Sequence, residues 1–160
     1  MYKPMGCLAV LITLLVFPIQ ALTVSLLVVE TGIAGGGTGS QFSSAWEGGI
    51  MAAFFDAGHI VTNSPIVQME KKPVTDLSSP VEADFIEAVM GGADYYILGF
   101  LEYQGLGRNA VPVGITLKIF KADSTLIYEN DFPAGTGKTL NDEYRNAQNI
   151  GTNLIPLLER

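Results

Sequence analysis

Asp94 to Tyr103 is apolar on both of its alternating faces, which places it in the centre of a sheet. Most of what the chain can fold into follows from that stretch and the segments around it. Thr23 to Glu30 is rich in β-branched residues and reads as a second buried strand. After Asp94–Tyr103 come two further strands. Val111, Val113, Ile115, Leu117 and Ile119 alternate with Pro112, Gly114, Thr116 and Lys118, the mark of a half-buried antiparallel strand, and Ala122-Asp123-Ser124-Thr125 turns the chain into Leu126 to Phe132.

Helical spacing fills the gaps. Phe42, Trp46, Ile50, Ala53 and Ala57 share one face of a helix that starts near Ser40, with Ser44 to Glu47 as a capping box and Gly58 as the stop. His59 to Thr62 follows as a short strand, extended through Ile66 to Met69 after a break at Pro65. Glu70 to Ser78 is a polar connection. Ser79 is expected to cap the next helix, with Pro80 at its first position and an apolar stripe of Phe85, Ile86, Val89 and Met90 running to Gly91-Gly92. Leu140, Tyr144, Ala147, Gly151, Leu154 and Leu158 line a closing helix that Pro156 kinks or ends. The expected fold is α/β (α+β), in the order β-α-β-α-β-β-β-α. It is a two-layer sandwich, with a mixed sheet of about five strands and the helices over one face.

Residues 1–21 read as an export signal: Lys3, an apolar run from Cys7 to Phe17 interrupted by Thr13, then Ile19-Gln20-Ala21 as a small-residue cleavage site. The competing reading is a retained anchor, since the stretch from Pro4 to Val29 is uncharged. Pro18, Gln20, Thr23 and Ser25 interrupt its second half and favour cleavage. Cys7 precedes the apolar run, the wrong side for a lipid-attachment cysteine. Cleavage leaves residues 22–160 as a single domain, long enough for a real core.

Without Lys3 the remaining domain carries eight basic against 16 acidic residues. Such a surface disfavours nucleic acid and anionic lipid, both of which require basic side chains. Cys7 is the only cysteine, so the domain is expected to stand without disulfides. Asn63-Ser64-Pro65 fails as a glycosylation acceptor because of its proline.

Pro133 to Thr139 ends in Gly-Lys-Thr between a strand and a helix, the setting of a phosphate-binding loop. Phe132 stands where the first glycine should be, the preceding strand looks like a hairpin partner, and 21 residues are left after Thr139 for the later strand such folds need. A linker in which Thr139 caps the last helix is the better reading. The loop Gly32–Gly39 is better placed for an anion or small ligand, with Gly37, Thr38 and Ser40 as candidate contacts at a helix start. It lacks a lysine and a true Gly-x-Gly-x-x-Gly spacing at the helix entry, so a flexible connection is the better reading and the anion site the alternative. His59 has no partners for a triad or metal site and reads as structural. Glu82, Asp84 and Glu87 suit the first turn of a helix rather than a metal loop. Trp46, Tyr95, Tyr96, Phe100 and Tyr103 read mostly as packing, and Gln104 to Asn109, with Arg108, as an exposed tip. No cofactor is implied.

Val24-Ser25-Leu26-Leu27-Val28-Val29-Glu30, the helix Trp46 to Ala57 ending in Gly58-His59-Ile60-Val61, and Gly92-Ala93-Asp94-Tyr95-Tyr96-Ile97-Leu98-Gly99-Phe100-Leu101 together resemble the TolB amino-terminal domain and its CsgG-type and LpoB-type relatives. The hairpin Ile115–Phe120 and Leu126–Glu129 matches the paired strands that come next. The resemblance covers most of the domain. It implies an exported, non-enzymatic domain that contacts envelope proteins, without the β-propeller, the lipid-attachment site or the transmembrane hairpins found among those relatives. The expectation is therefore a periplasmic or envelope-associated binding module, with an envelope protein as partner, working through sheet edge and loops. It has no membrane span after cleavage and no set oligomeric state. A ligand binder centred on the glycine-rich loop is the alternative, and a hydrolase with dispersed carboxylates a more distant one.

Overall fold

A computed structural model describes residues 21–32, 41–73, 75–105 and 110–158. The elements run β1 (Thr23–Thr31), α1 (Gln41–Asp56), β2 (Ile60–Asn63), β3 (Val67–Met69), α2 (Val81–Met90), β4 (Tyr95–Gln104), β5 (Val111–Lys121), β6 (Leu126–Pro133) and α3 (Leu140–Leu158). Six strands form one sheet in the order β2-β1-β4-β5-β6, with β3 also on β1. The expected short strand and its extension are thus two pieces of one edge, interrupted at Pro65. β2 pairs with Thr23–Leu26 and β3 with Val29–Thr31, both in parallel. β1 and β4 are parallel, whereas β4–β5 and β5–β6 are antiparallel hairpins. A parallel first half and hairpins in the second half give the mixed sheet that the sequence predicts.

The near-continuous apolar runs of β1 and β4 have a visible cause: both strands are covered on two sides. Val24, Leu26, Val28, Ile97, Leu101, Ile115, Leu117 and Ile119 face α1 and α3, against Trp46, Ile50, Phe54, Ala147, Leu154 and Leu158. The alternate residues Leu27, Val29, Tyr96, Leu98, Phe100 and Phe120 face Val81 and Phe85 of α2. The sandwich of sheet on α1 and α3 is the layered arrangement expected. α2 instead lies on the reverse face, because the β1–α1–β2 and β3–α2–β4 crossovers run in opposite directions along the sheet.

α1 and α3 pack so closely that glycine is required between them. A Cβ on Gly49 would lie 2.7 Å from the Ala147 methyl and against the Tyr144 carbonyl, and one on Gly151 would lie 2.8 Å from the Ala53 methyl. Burial on α1 falls on Ser43, Trp46, Gly49, Ile50, Ala53 and Phe54 rather than on Phe42 and Ala57.

Three local expectations are corrected. Ser44 lies inside α1, which already begins at Gln41, so Ser44 to Glu47 is not a capping box. Pro80 occupies the N-cap position of α2 with no side-chain hydrogen bond, so Ser79 does not cap it. Pro156 sits inside α3, which continues to Leu158. Thr139 does cap α3: its Oγ1 accepts from Asp142 N at 3.2 Å, and its own N donates to Asp142 Oδ2 at 2.9 Å. The Glu70–Ser78 connection runs over the reverse face. There Leu77 packs on the α2-side core, and Asp76 meets Lys118.

Candidate functional site

The carboxyl ends of the parallel strands β1 and β4 are where an α/β sheet usually holds a ligand. Here that region is built around a buried carboxylate. Glu30, at the end of β1, accepts from Gln68 Nε2 of β3 at 2.9 Å and from Ser43 Oγ of α1. Since Ser43 gives its proton to Glu30, the 2.9 Å contact between Ser43 Oγ and Tyr103 OH is donated by the tyrosine. The relay Tyr103–Ser43–Glu30–Gln68 ties four elements together with no exposed member at its centre. Register explains part of it, because Glu30 and Gln68 are direct cross-strand neighbours.

The position of that carboxylate bears on anion binding. Ser43 stands in the first turn of α1, so its hydroxyl holds the Glu30 carboxylate near the start of that helix. A second anion would meet its repulsion. The candidates Gly37, Thr38 and Ser40, and most of the Gly32–Gly39 loop, lie outside the described residues, as do residues 1–20 of the expected signal and Arg108 in the Gln104–Asn109 tip.

A second buried carboxylate closes the phosphate-loop question. Glu143, in the first turn of α3, accepts from Trp46 Nε1 at 2.9 Å, Gly135 N at 3.1 Å and Gly137 N at 2.6 Å. The Gly135 and Gly137 N–H groups that would cradle a phosphate point at the chain's own glutamate. Gly135 reaches this arrangement at φ +68°, with the Pro112 carbonyl against the place a Cβ would take. The linker reading of Pro133–Thr139 holds. Sequence reasoning missed Glu143 because its partners lie up to 97 residues away.

Other polar groups also join elements of the fold. Lys118 projects from β5 between Asp76 and Glu129, at 2.8 Å from each. Burial pulls its pKa down, but the hydrogen bonds and charges of the two acids outweigh this and raise it overall. Tyr96 OH donates to Asp84 Oδ2 at 2.7 Å, and its ring meets Phe85 edge-on. Burial first, then Asp84, holds that phenol protonated far above the usual tyrosine range. His59 Nδ1 accepts from Leu22 N at 3.4 Å, its ring leans on Phe54, and its buried Nε2 has no partner. Tyr95 OH donates to the Leu158 carbonyl at 3.0 Å. Among the described residues no group of three or more His, Cys, Asp or Glu side chains is placed to hold a metal.

Several large apolar side chains stay on the surface. Met90 is 84% exposed, Phe55 72%, Ile60 57% and Ile86 50%. The expected α2 stripe therefore splits: Phe85 is buried and Val89 partly so, whereas Ile86 and Met90 face outward. A cleft of about 260 Å³ runs between β2 and α2, lined by Thr23, Thr62, Asn63, Glu87 and Gly91. The sheet edges are poorer contact surfaces. β6 begins with an irregular register opposite Ile119 and Phe120, carries Glu129 and Asp131 and ends at Pro133, and β2 and β3 are short. No helix among the described residues is long and apolar enough to cross a membrane.

No protein-family model matches the chain, and no curated protein matches it in sequence. Solved structures are similar to it in fold. The PelC dodecamer from Paraburkholderia phytofirmans is 14% identical, covering 86% of this chain and 87% of its own, at a TM-score of 0.47. Lipoprotein GNA1162 from Neisseria meningitidis is 7% identical, covering 84% of this chain and 99% of its own, at 0.46. The hypothetical protein CT253 from Chlamydia trachomatis is 12% identical, covering 87% and 92%, at 0.37.

Proposed function

We propose that this chain is an exported, non-enzymatic module that acts in a cell envelope by binding another protein, of the kind represented by TolB amino-terminal, CsgG-type and LpoB-type domains. The observation that carries the reading is where the polar and apolar residues lie. Glu30, Glu143, Lys118 and Tyr96 are each spent on joining elements of the fold, while Phe55, Ile60, Ile86 and Met90 are spent on solvent. An enzyme keeps a reactive group poised in a cleft; a binding module keeps apolar anchors on its surface. The signal-like residues 1–21 support the exported location.

The test is photocrosslinking in cells, with a photoreactive residue placed in turn at exposed positions on α1, α2, β6 and α3, combined with cell fractionation and amino-terminal sequencing. The reading predicts a discrete adduct from one patch, in exported material that begins near Leu22. Cytosolic protein with an intact leader and no adduct from any position would end it.

A further inference from the structure

We propose that the outward face of α2 is the docking surface, and that its occupant is a basic amphipathic helix of the partner protein. This rests on the contact-module reading above and names the partner's chemistry. α2 is a short helix with apolar residues on both sides. Val81 and Phe85 bury one side in the reverse-face core. A helix on a protein surface normally turns polar residues to water on the other side. In α2 the other side consists of Glu82, Ala83, Ile86, Glu87 and Met90, all exposed.

Helical spacing places Ile86 and Met90 one turn apart along the middle of that face. Ala83 leaves room between them and the preceding turn, and Glu82 and Glu87 stand on opposite flanks. Small and apolar at the centre, acidic at the rim, this is the surface a second helix would cover with its own apolar ridge. Its two carboxylates select lysine or arginine on the incoming flanks. They equally exclude an anionic membrane surface, whose headgroups they would repel. Beyond Glu87 the cleft against Thr62 and Asn63 extends the surface towards Ile60 on β2.

The test uses the full domain and a fluorescent synthetic helical peptide with leucine at every third or fourth position and lysine elsewhere. The same peptide with glutamate for lysine is the control, and binding is followed by anisotropy. Saturable binding of the lysine peptide alone is expected, weakened about tenfold by Ile86→Asp or Met90→Asp and little by Met90→Leu. Glu82→Lys with Glu87→Lys should weaken the lysine peptide and admit the glutamate peptide, whereas Asp56→Lys, on α1 across the sheet, should change neither. Circular dichroism melting confirms that each variant is folded. Equal binding of both peptides, or a Met90→Asp variant that binds like the parent, would overturn the proposal. So would a dimer in sedimentation equilibrium that Met90→Asp dissolves, since the occupant would then be a second copy. An in-cell adduct formed only from positions away from α2, with no peptide binding, would overturn this assignment and leave the contact-module reading standing.

Discussion

Replacing Glu143 by glutamine changes one atom's chemistry and almost nothing of its shape, so it isolates what the carboxylate does. Both oxygens accept and neither donates: Oε2 takes Trp46 Nε1 and Gly135 N, and Oε1 takes Gly137 N. An amide must turn its NH2 towards one of these sets. The less costly choice faces Gly137 and keeps the other two bonds. It loses one charge-assisted bond, about 1.5–3 kcal/mol, and sets two donors against each other in a buried site. The two surviving bonds weaken as their acceptor loses its charge. A total of about 3 kcal/mol is expected, a large part of the roughly 5–15 kcal/mol that holds such a domain together, yet compatible with folding. At about 2–4 °C per kcal/mol for chains of this size or larger, the melting temperature should fall by roughly 10 °C. Urea unfolding followed by far-ultraviolet circular dichroism and by Trp46 fluorescence measures it. Thr139→Ala, which removes only the neighbouring cap, should cost about 1 kcal/mol. A Glu143→Gln variant within about 0.5 kcal/mol of the parent would show that the buried glutamate does not organise the α3 start, and the reasoning would fail.

Three further outcomes follow from the same packing. Gly49→Ala should destabilise by about 2–4 kcal/mol in urea unfolding, because the added methyl meets the Tyr144 carbonyl and the Ala147 methyl rather than a movable side-chain tip. Stability should fall as pH rises past about 10, since the Tyr96 and Lys118 pKa values are both raised in the folded protein and the unfolded chain loses those protons first. Each group contributes a slope of about 1.4 kcal/mol per pH unit there, and Tyr96→Phe should remove one proton's share of the alkaline limb in pH-dependent urea titrations. Lys118→Met should stay within about 1 kcal/mol of the parent at neutral pH, because Asp76 and Glu129 retain access to water once the lysine is gone.

The elements readable from sequence are those whose cause is local or periodic. Asp94–Tyr103 and Thr23–Glu30 are central because both alternating faces are apolar, and the Thr139 cap is legible because its partner is three residues away. The polar core was not legible. Glu30, Ser43, Gln68 and Tyr103 come from four separate elements, and only the fold reveals that a β3 glutamine stands beside a β1 glutamate. α2 shows the limit of periodicity. Phe85, Ile86, Val89 and Met90 read as one stripe, yet a short helix with apolar residues nearly all round has more than one way to face a sheet. Val81 and Phe85 win because they fit between Tyr96, Leu98 and Phe120. What remains outside is the surface assigned here to a partner.

The most direct measurement compares in-cell photocrosslinking from position 83, in the middle of the α2 outward face, across three backgrounds: the parent, Met90→Asp and Glu30→Gln. The account predicts an adduct in the parent, its loss in folded Met90→Asp, and its retention in whatever fraction of Glu30→Gln folds. An adduct that survives Met90→Asp, or one that depends on Glu30 in folded protein, would contradict the division between a polar core that builds the fold and an apolar helix face that does the work.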